Sequence, residues 1–287
     1  MNAHTFRFLL LFFTMAVSTS CTKSSLVDRI GVCSQPDKWE LLKENGYAFA
    51  EAELRSFLMP QNEEEDFAPN LETAQNAGIP IYSCNLFFPG DMRLTGEEVD
   101  MAAITRYTEV AMRRAKQIGI KIIVLGSGGA RHIPEGFSHE TARGRFIEIC
   151  RKIGAIAQKN DVTIVIEPLN AAETNFITTV AEGLELVKEV DHPNIQLLAD
   201  LFHMTRAGES PESIVKAGKY LRHCHIAENE QRTAPGIAGD DFTPYLEALK
   251  KISYKGNIAL ECRWDDMESQ LPIAIAELKR QIEKVGL

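Results

Sequence analysis

The chain has 287 residues, 45% of them hydrophobic and 25% charged, and a formal net charge of −9. That balance argues against nucleic acid as a partner, because such affinity rests on Lys and Arg neutralising phosphates. The 6 cysteines form no CxxC pair, and those after Cys21 are odd in number, so free buried thiols are expected rather than a disulfide framework.

Residues 1–20 read as a targeting segment. His4 and Arg7 precede the apolar run Phe8–Val17, and Ser18, Thr19 and Ser20 lead into Cys21. This is the layout of a signal peptide, with an apolar core too short to span a bilayer. A cysteine directly after small residues fits lipoprotein processing, so Cys21 is the candidate lipidation site and residues 21–28 a tether. The expected location is the periplasmic side of a bacterial membrane, with a lipid anchor as the membrane contact. Ordinary secretion is the alternative, since a larger aliphatic residue usually stands where Ser18 does.

Residues 29–287 then form the fold. Strand candidates are Ile30–Cys33, Ala48–Leu54, Ile79–Leu86, Lys121–Leu125, Val162–Glu167, Ile195–Asp200, Leu221–Ile226 and Asn257–Glu261. Helical stretches separate them, the clearest being Glu97–Ile118, with Val99, Ala103, Tyr107, Val110 and Ile118 on one face. Gly46, Gly78 and Gly119 stand where helix C-caps precede strands. The acidic cluster Glu63–Asp66 reads as a solvated loop. Near-continuous apolar strands alternating with helices predict a single-domain (β/α)₈ TIM barrel, whose typical size is ~250 residues.

Four successive strands end in a metal-competent side chain: Glu167, Asp200, His225 and Glu261. In a parallel barrel those ends share one face. Buried acids must be paired, protonated or bound to a cation. Three carboxylates and one imidazole suit Mn²⁺, Mg²⁺ or Co²⁺, and Zn²⁺ is compatible with them.

His223 shares His225's face by the two-residue period and is read as structural, one layer deeper. Cys224 and Cys262 point toward the helices. Gly126-Ser127-Gly128-Gly129 reads as a tight turn, and Arg131 as a residue of the pocket rim. Trp39, Phe87, Phe88 and Trp264 follow strands and suit packing against a bound ligand, a place in the core or a lid.

Several motifs carry a resemblance: Ile166-Glu167-Pro168-Leu169-Asn170, Asp200-Leu201-Phe202-His203-Met204, His225-Ile226-Ala227-Glu228-Asn229, and Arg232 with Pro235-Gly236. Tyr254 and Gly256, leading to Leu260-Glu261, complete the set. From about Ile30 onward the chain resembles the xylose-isomerase-like barrels, and within them the ketose 3-epimerase and hydroxypyruvate isomerase group. The resemblance implies that Glu167, Asp200, His225 and Glu261 hold one divalent metal ion. It implies that Glu167 and Glu261 are also the acid/base pair, and that Glu173, His203 and Arg232 bind substrate. Arg232 departs in spacing: an extra residue separates it from His225, and Pro235–Gly239 is longer than the family's loop.

The function this implies is a metal-dependent sugar isomerase or epimerase. It would abstract a proton α to a carbonyl, through an enediolate, on an unphosphorylated sugar or keto-sugar. A keto-sugar lyase or dehydratase is the runner-up, because elimination uses the same site. More remote readings are an apurinic-site endonuclease and a non-catalytic sugar-binding lipoprotein. A homo-oligomer is compatible with the sequence.

Overall fold

The computed structural model describes residues 25–287. Eight parallel strands close into one barrel in sequence order: β1 (Ile30–Cys33), β2 (Phe49–Glu53), β3 (Ile81–Asn85), β4 (Ile122–Leu125), β5 (Thr163–Ile166), β6 (Ile195–Asp200), β7 (Leu221–Ile226) and β8 (Asn257–Leu260). β8 pairs back onto β1 through Ile30↔Ile258 and Val32↔Leu260, so no sheet edge is left open.

Helices follow the strands: α1 (Trp39–Glu44), α2 (Leu54–Phe57), α3 (Glu64–Asn76), α4 (Met101–Ile118), α5 (Gly128–Arg131), α6 (His139–Lys159), α7 (Val180–Val190), α8 (Leu201–Arg206), α9 (Glu212–Ala217), α10 (Thr243–Lys251) and α11 (Met267–Val285). α4 starts later than its apolar period suggests, because Asp100 caps it by accepting from the Ala103 amide at 2.9 Å. The acids at 63–66 are not a loop. Glu64, Glu65 and Asp66 form the first turn of α3, where negative charge complements the helix dipole.

The tether expected at 21–28 does not hold over its described part. Residues 25–28 belong to the folded body: Ser25 caps a 3₁₀ turn over Leu26–Arg29, and Leu26 is fully buried. The Ser25 hydroxyl also donates to the Leu287 carbonyl at 3.0 Å, tying the first described residue to the last. The proposed signal peptide and Cys21 lie outside the described residues.

Two apolar layers result. The larger lies between strands and helices. The smaller fills the barrel's interior with Tyr82, Ile122, Val124, Val165 and Leu198. The Phe49 ring enters this interior 5.4 Å from Tyr82. A Cβ at Gly31 would sit 2.4 Å from that ring, so only glycine fits there.

Two register shifts re-aim side chains. Ala50↔Ile81 is followed by Glu51↔Ser83, and Leu197↔Leu221 by Leu198↔His223. Each inserts one residue, Tyr82 in β3 and Arg222 in β7, as a bulge does.

Candidate metal centre and substrate pocket

The four strand-end groups meet. Oxygen and nitrogen atoms of Glu167, Asp200, His225 and Glu261 all lie within 4.8 Å of one another. Glu167 comes from just past β5 and Glu261 from just past β8, on nearly opposite walls of the barrel. His225 stands between them, with Nδ1 3.0 Å from Glu167 and 3.3 Å from Glu261. Asp200 is buried and also caps α8, its Oδ1 accepting from the Phe202 amide at 2.9 Å.

The glycine turn after β4 makes room for this cluster. A Cβ at Gly126 would stand 2.2 Å from Oε2 of Glu167, and one at Gly128 would stand 2.8 Å from the Glu173 carbonyl. The turn therefore serves by its small size, and its Ser127 hydroxyl accepts from the Phe88 amide at 2.9 Å.

The three expected substrate-binding residues sit beside the cluster. Arg232 bonds to both Asp200, at 3.1 Å, and Glu261, so it joins two carboxylates across the mouth. His203 places Nε2 3.4 Å from Asp200. Its Nδ1 accepts from the Asn170 backbone amide at 3.3 Å and stands 2.8 Å from the Asn170 side chain. Asn170 also donates to Glu173 at 3.0 Å. Asn170, Glu173 and Arg232 line a cavity of about 230 Å³ together with Phe202, Arg206 and Arg263.

Charge is distributed unevenly. Burial pushes the Glu167 carboxyl up, reinforced by Glu261 and Asp200 and opposed by His225. Burial also acts on Glu261, but His225 and Arg232 outweigh it and hold that carboxyl down at about 2. Burial works against a charged His225, yet the surrounding carboxylates, Glu51 first, raise it well above the ordinary range.

The donor set fits a divalent cation. Glu51, Glu167, Asp200 and Glu261 crowd around His225 with Arg232 as the guanidinium. A dication would neutralise the surplus negative charge that this leaves.

One further expectation is corrected. Arg131 is not on the rim but fully buried, donating to the carbonyls of Leu125 and Ile177 at 3.3 Å each. Burial lowers it to about 10. Trp39 is core, edge-on to Phe57 with centroids 5.2 Å apart. Phe87 and Phe88 are buried against Tyr107. The aromatic ring at the pocket is Phe202, with Arg232 stacked 4.7 Å from its centroid.

Two site residues escaped the sequence reading. Asn85, at the end of β3, donates to Glu261 at 2.8 Å. Glu51, in β2, is fully buried and touches both His223 and His225 at 2.8 Å. Its signal was present: a carboxylate inside an apolar strand must have a partner, and an inward histidine stands on β7. The five cysteines of the described residues are free.

Among known proteins, a family model described as "Xylose isomerase-like TIM barrel" matches residues 39–283. The D-psicose 3-epimerase of Ruminiclostridium cellulolyticum is 35% identical over 118 residues, covering 41% of this chain and 40% of that one. The hydroxypyruvate isomerase of Escherichia coli is 27% identical over 154 residues, covering 53% of this chain and 58% of that one. The matches thus span less than two thirds of these relatives' lengths. In fold, the solved D-allulose 3-epimerase of Methylomonas sp. superimposes with a TM-score of 0.77 at 20% identity, over 88% of this chain and 96% of the other.

Proposed function

From its membership of the xylose isomerase-like TIM barrel family, we propose that this chain is a divalent-metal-dependent sugar isomerase or epimerase. The observation that carries the reading is the meeting of Glu167, Asp200, His225 and Glu261 beside a polar cavity. These four would hold the cation, which when bound polarises the substrate's carbonyl and stabilises the negative charge formed next to it.

Glu167 and Glu261 approach from nearly opposite walls, so each faces one side of a substrate lying between them. One carboxylate takes the proton from the carbon α to the carbonyl. Return by the other to the opposite side inverts that carbon. Return by the same one to the neighbouring carbon, with the hydroxyl proton passing between the two adjacent oxygens, moves the carbonyl instead. Arg232 and Asn85 fix the Glu261 carboxylate on two sides, which orients it for proton transfer. His203, Glu173 and Arg232 present donors and acceptors suited to sugar oxygens. An unphosphorylated sugar or keto-sugar is the proposed substrate class. The curated relatives named above are, by their names, an epimerase of D-psicose and an isomerase of hydroxypyruvate.

The test is incubation with Mn²⁺ and a panel of ketoses and keto-glycosides in D₂O. Deuterium should enter the carbon beside the carbonyl, and Glu261→Gln should slow uptake by ~10²–10⁴-fold. Absence of uptake on every compound defeats the proposal. An unsaturated product or a released aglycone would assign elimination instead.

Export completes the reading. The apolar run Phe8–Val17 and Cys21 support a lipid-anchored protein on the periplasmic side. Mass spectrometry of the mature N-terminus should find a lipidated Cys21, and an intact Met1 would refute export by this route.

A further inference from the structure

Glu51 is a fully buried carboxylate that touches His225 yet stands outside the four-residue cluster. Its two oxygens are divided: Oε1 lies 2.8 Å from Nε2 of His225, and Oε2 lies 2.8 Å from Nε2 of His223. Ser83 donates its hydroxyl to Oε2 at 2.5 Å, and Cys33 its thiol to Oε1 at 3.4 Å. Each of these four partners can donate to Glu51. The bulge in β3 is what brings Ser83 opposite Glu51.

The proton positions follow from which ring nitrogens have partners. His223 Nδ1 has none among the described residues. A neutral imidazole with one orphaned nitrogen keeps its proton on the partnered one, so His223 donates from Nε2. His225 turns Nδ1 toward Glu167 and Glu261, and its other nitrogen toward Glu51 alone.

We propose that Glu51 is the positioning residue of this centre: by accepting the Nε2–H of His225 it fixes the imidazole so that Nδ1 offers its lone pair to the cation. His223 and Ser83 hold Glu51 in turn, forming a chain from the barrel's interior to the metal ligand. The inference rests on the reading that the quartet holds a divalent cation. Carboxylate partners of this kind typically contribute 10–100-fold to metal affinity. A glutamine at 51 cannot replace the carboxylate, because its amide nitrogen would face one of two N–H donors.

Cys33, Glu51 and His225 are themselves close enough to grip an ion, so the test must separate a second metal from a hydrogen bond. Chelator-treated protein is titrated calorimetrically with Mn²⁺ as wild type, Glu51→Gln, Ser83→Ala and Cys33→Ser. A ¹⁵N-histidine-labelled, Mg²⁺-loaded sample reports which nitrogen of His225 carries the proton. Expected are one ion per chain, affinity lowered ~10–100-fold in Glu51→Gln, a smaller loss in Ser83→Ala, and a His225 proton on Nε2.

Wild-type affinity in Glu51→Gln, or a Mg²⁺-loaded His225 without its Nε2 proton, overturns the proposal. So do two ions per chain with the second lost in Cys33→Ser. If Glu51→Gln does not fold, Ser83→Ala and the wild-type spectrum decide. If wild type binds no cation, the reading of the quartet fails first, and this inference with it.

Discussion

A single methyl group at position 126 would collide with the carboxylate that ends β5. Gly126→Ala places carbon 2.2 Å from Oε2 of the buried Glu167 carboxylate, which must then turn away from its place beside His225. The variant should fold, since Gly126 keeps an ordinary negative φ, but should lose ~10-fold or more in Mn²⁺ affinity, measured calorimetrically. Unchanged affinity would mean that Glu167 is not a ligand. At this scale the sequence spoke unevenly. Glu167, Asp200, His225 and Glu261 were legible because each ends an apolar run. Glu51 and Asn85 are harder to read, because the histidines of β7 and the carboxylate past β8 that partner them come from strands that do not adjoin theirs in the barrel. Arg131 misled for the opposite reason. An arginine after a glycine turn reads as exposed, yet the Leu125 carbonyl at the end of β4 and the Ile177 carbonyl of the loop before α7 accept its hydrogen bonds inside the core.

Arg232 depends on how its loop is built. Gln231 and Arg232 both sit in the left-handed region, at φ 53° and 59°, which costs non-glycine residues on the order of 1 kcal/mol each. Buried Glu228 compensates by accepting backbone amides across the loop, from Gly236 at 2.7 Å, Gly239 at 2.9 Å and Ala238, with the Thr233 hydroxyl at 2.9 Å. This carboxylate accommodates the longer Pro235–Gly239 segment that distinguished the chain by sequence. Glu228→Gln should therefore raise KM several-fold with a smaller change in kcat, because Arg232 loses its fixed position rather than its charge. An unchanged KM would show that the loop is held otherwise.

On the far side, Arg114 of α4 is buried and bonds to Glu64 of α3 at 2.8 Å and to carbonyls of Leu58 and Asn62 at 2.9 Å each. Bonds from Arg113 and Arg114 hold the Glu64 carboxyl down at about 2. A depressed carboxyl stabilises the fold above its unfolded value, near 4.5, and the contribution is lost as pH falls toward 2. Wild type should thus lose slightly more stability than Glu64→Gln between those values. The difference is at most about 1 kcal/mol, because Glu64 is half exposed. Equal acid sensitivity would contradict the pairing. Strand order, and most strand limits to within a residue or two, followed from apolar runs. The bulges in β3 and β7 did not, since they arise from fitting neighbouring strands together.

Across the whole molecule, barrel closure turns residues far apart in the chain into one charged pocket. A fold that gathers several acids around one histidine should be stabilised by whatever neutralises them. Mn²⁺ at 100 times its Kd should add ~2.7 kcal/mol and raise the Tm by roughly 5–10 °C, reversed by chelator. A Tm indifferent to both would argue against a specific cation site. The architecture was legible because eight apolar segments alternating with helices leave few other ways to bury two-sided strands. The pocket's polar partners were not, because they depend on register across the sheet.

The most direct measurement is anomalous diffraction from a crystal soaked in Mn²⁺. One peak is expected, in contact with Glu167, Asp200, His225 and Glu261, with Glu51 still bonded to the far nitrogen of His225. No peak there, or one seated instead between Cys33, Glu51 and His225, would contradict it.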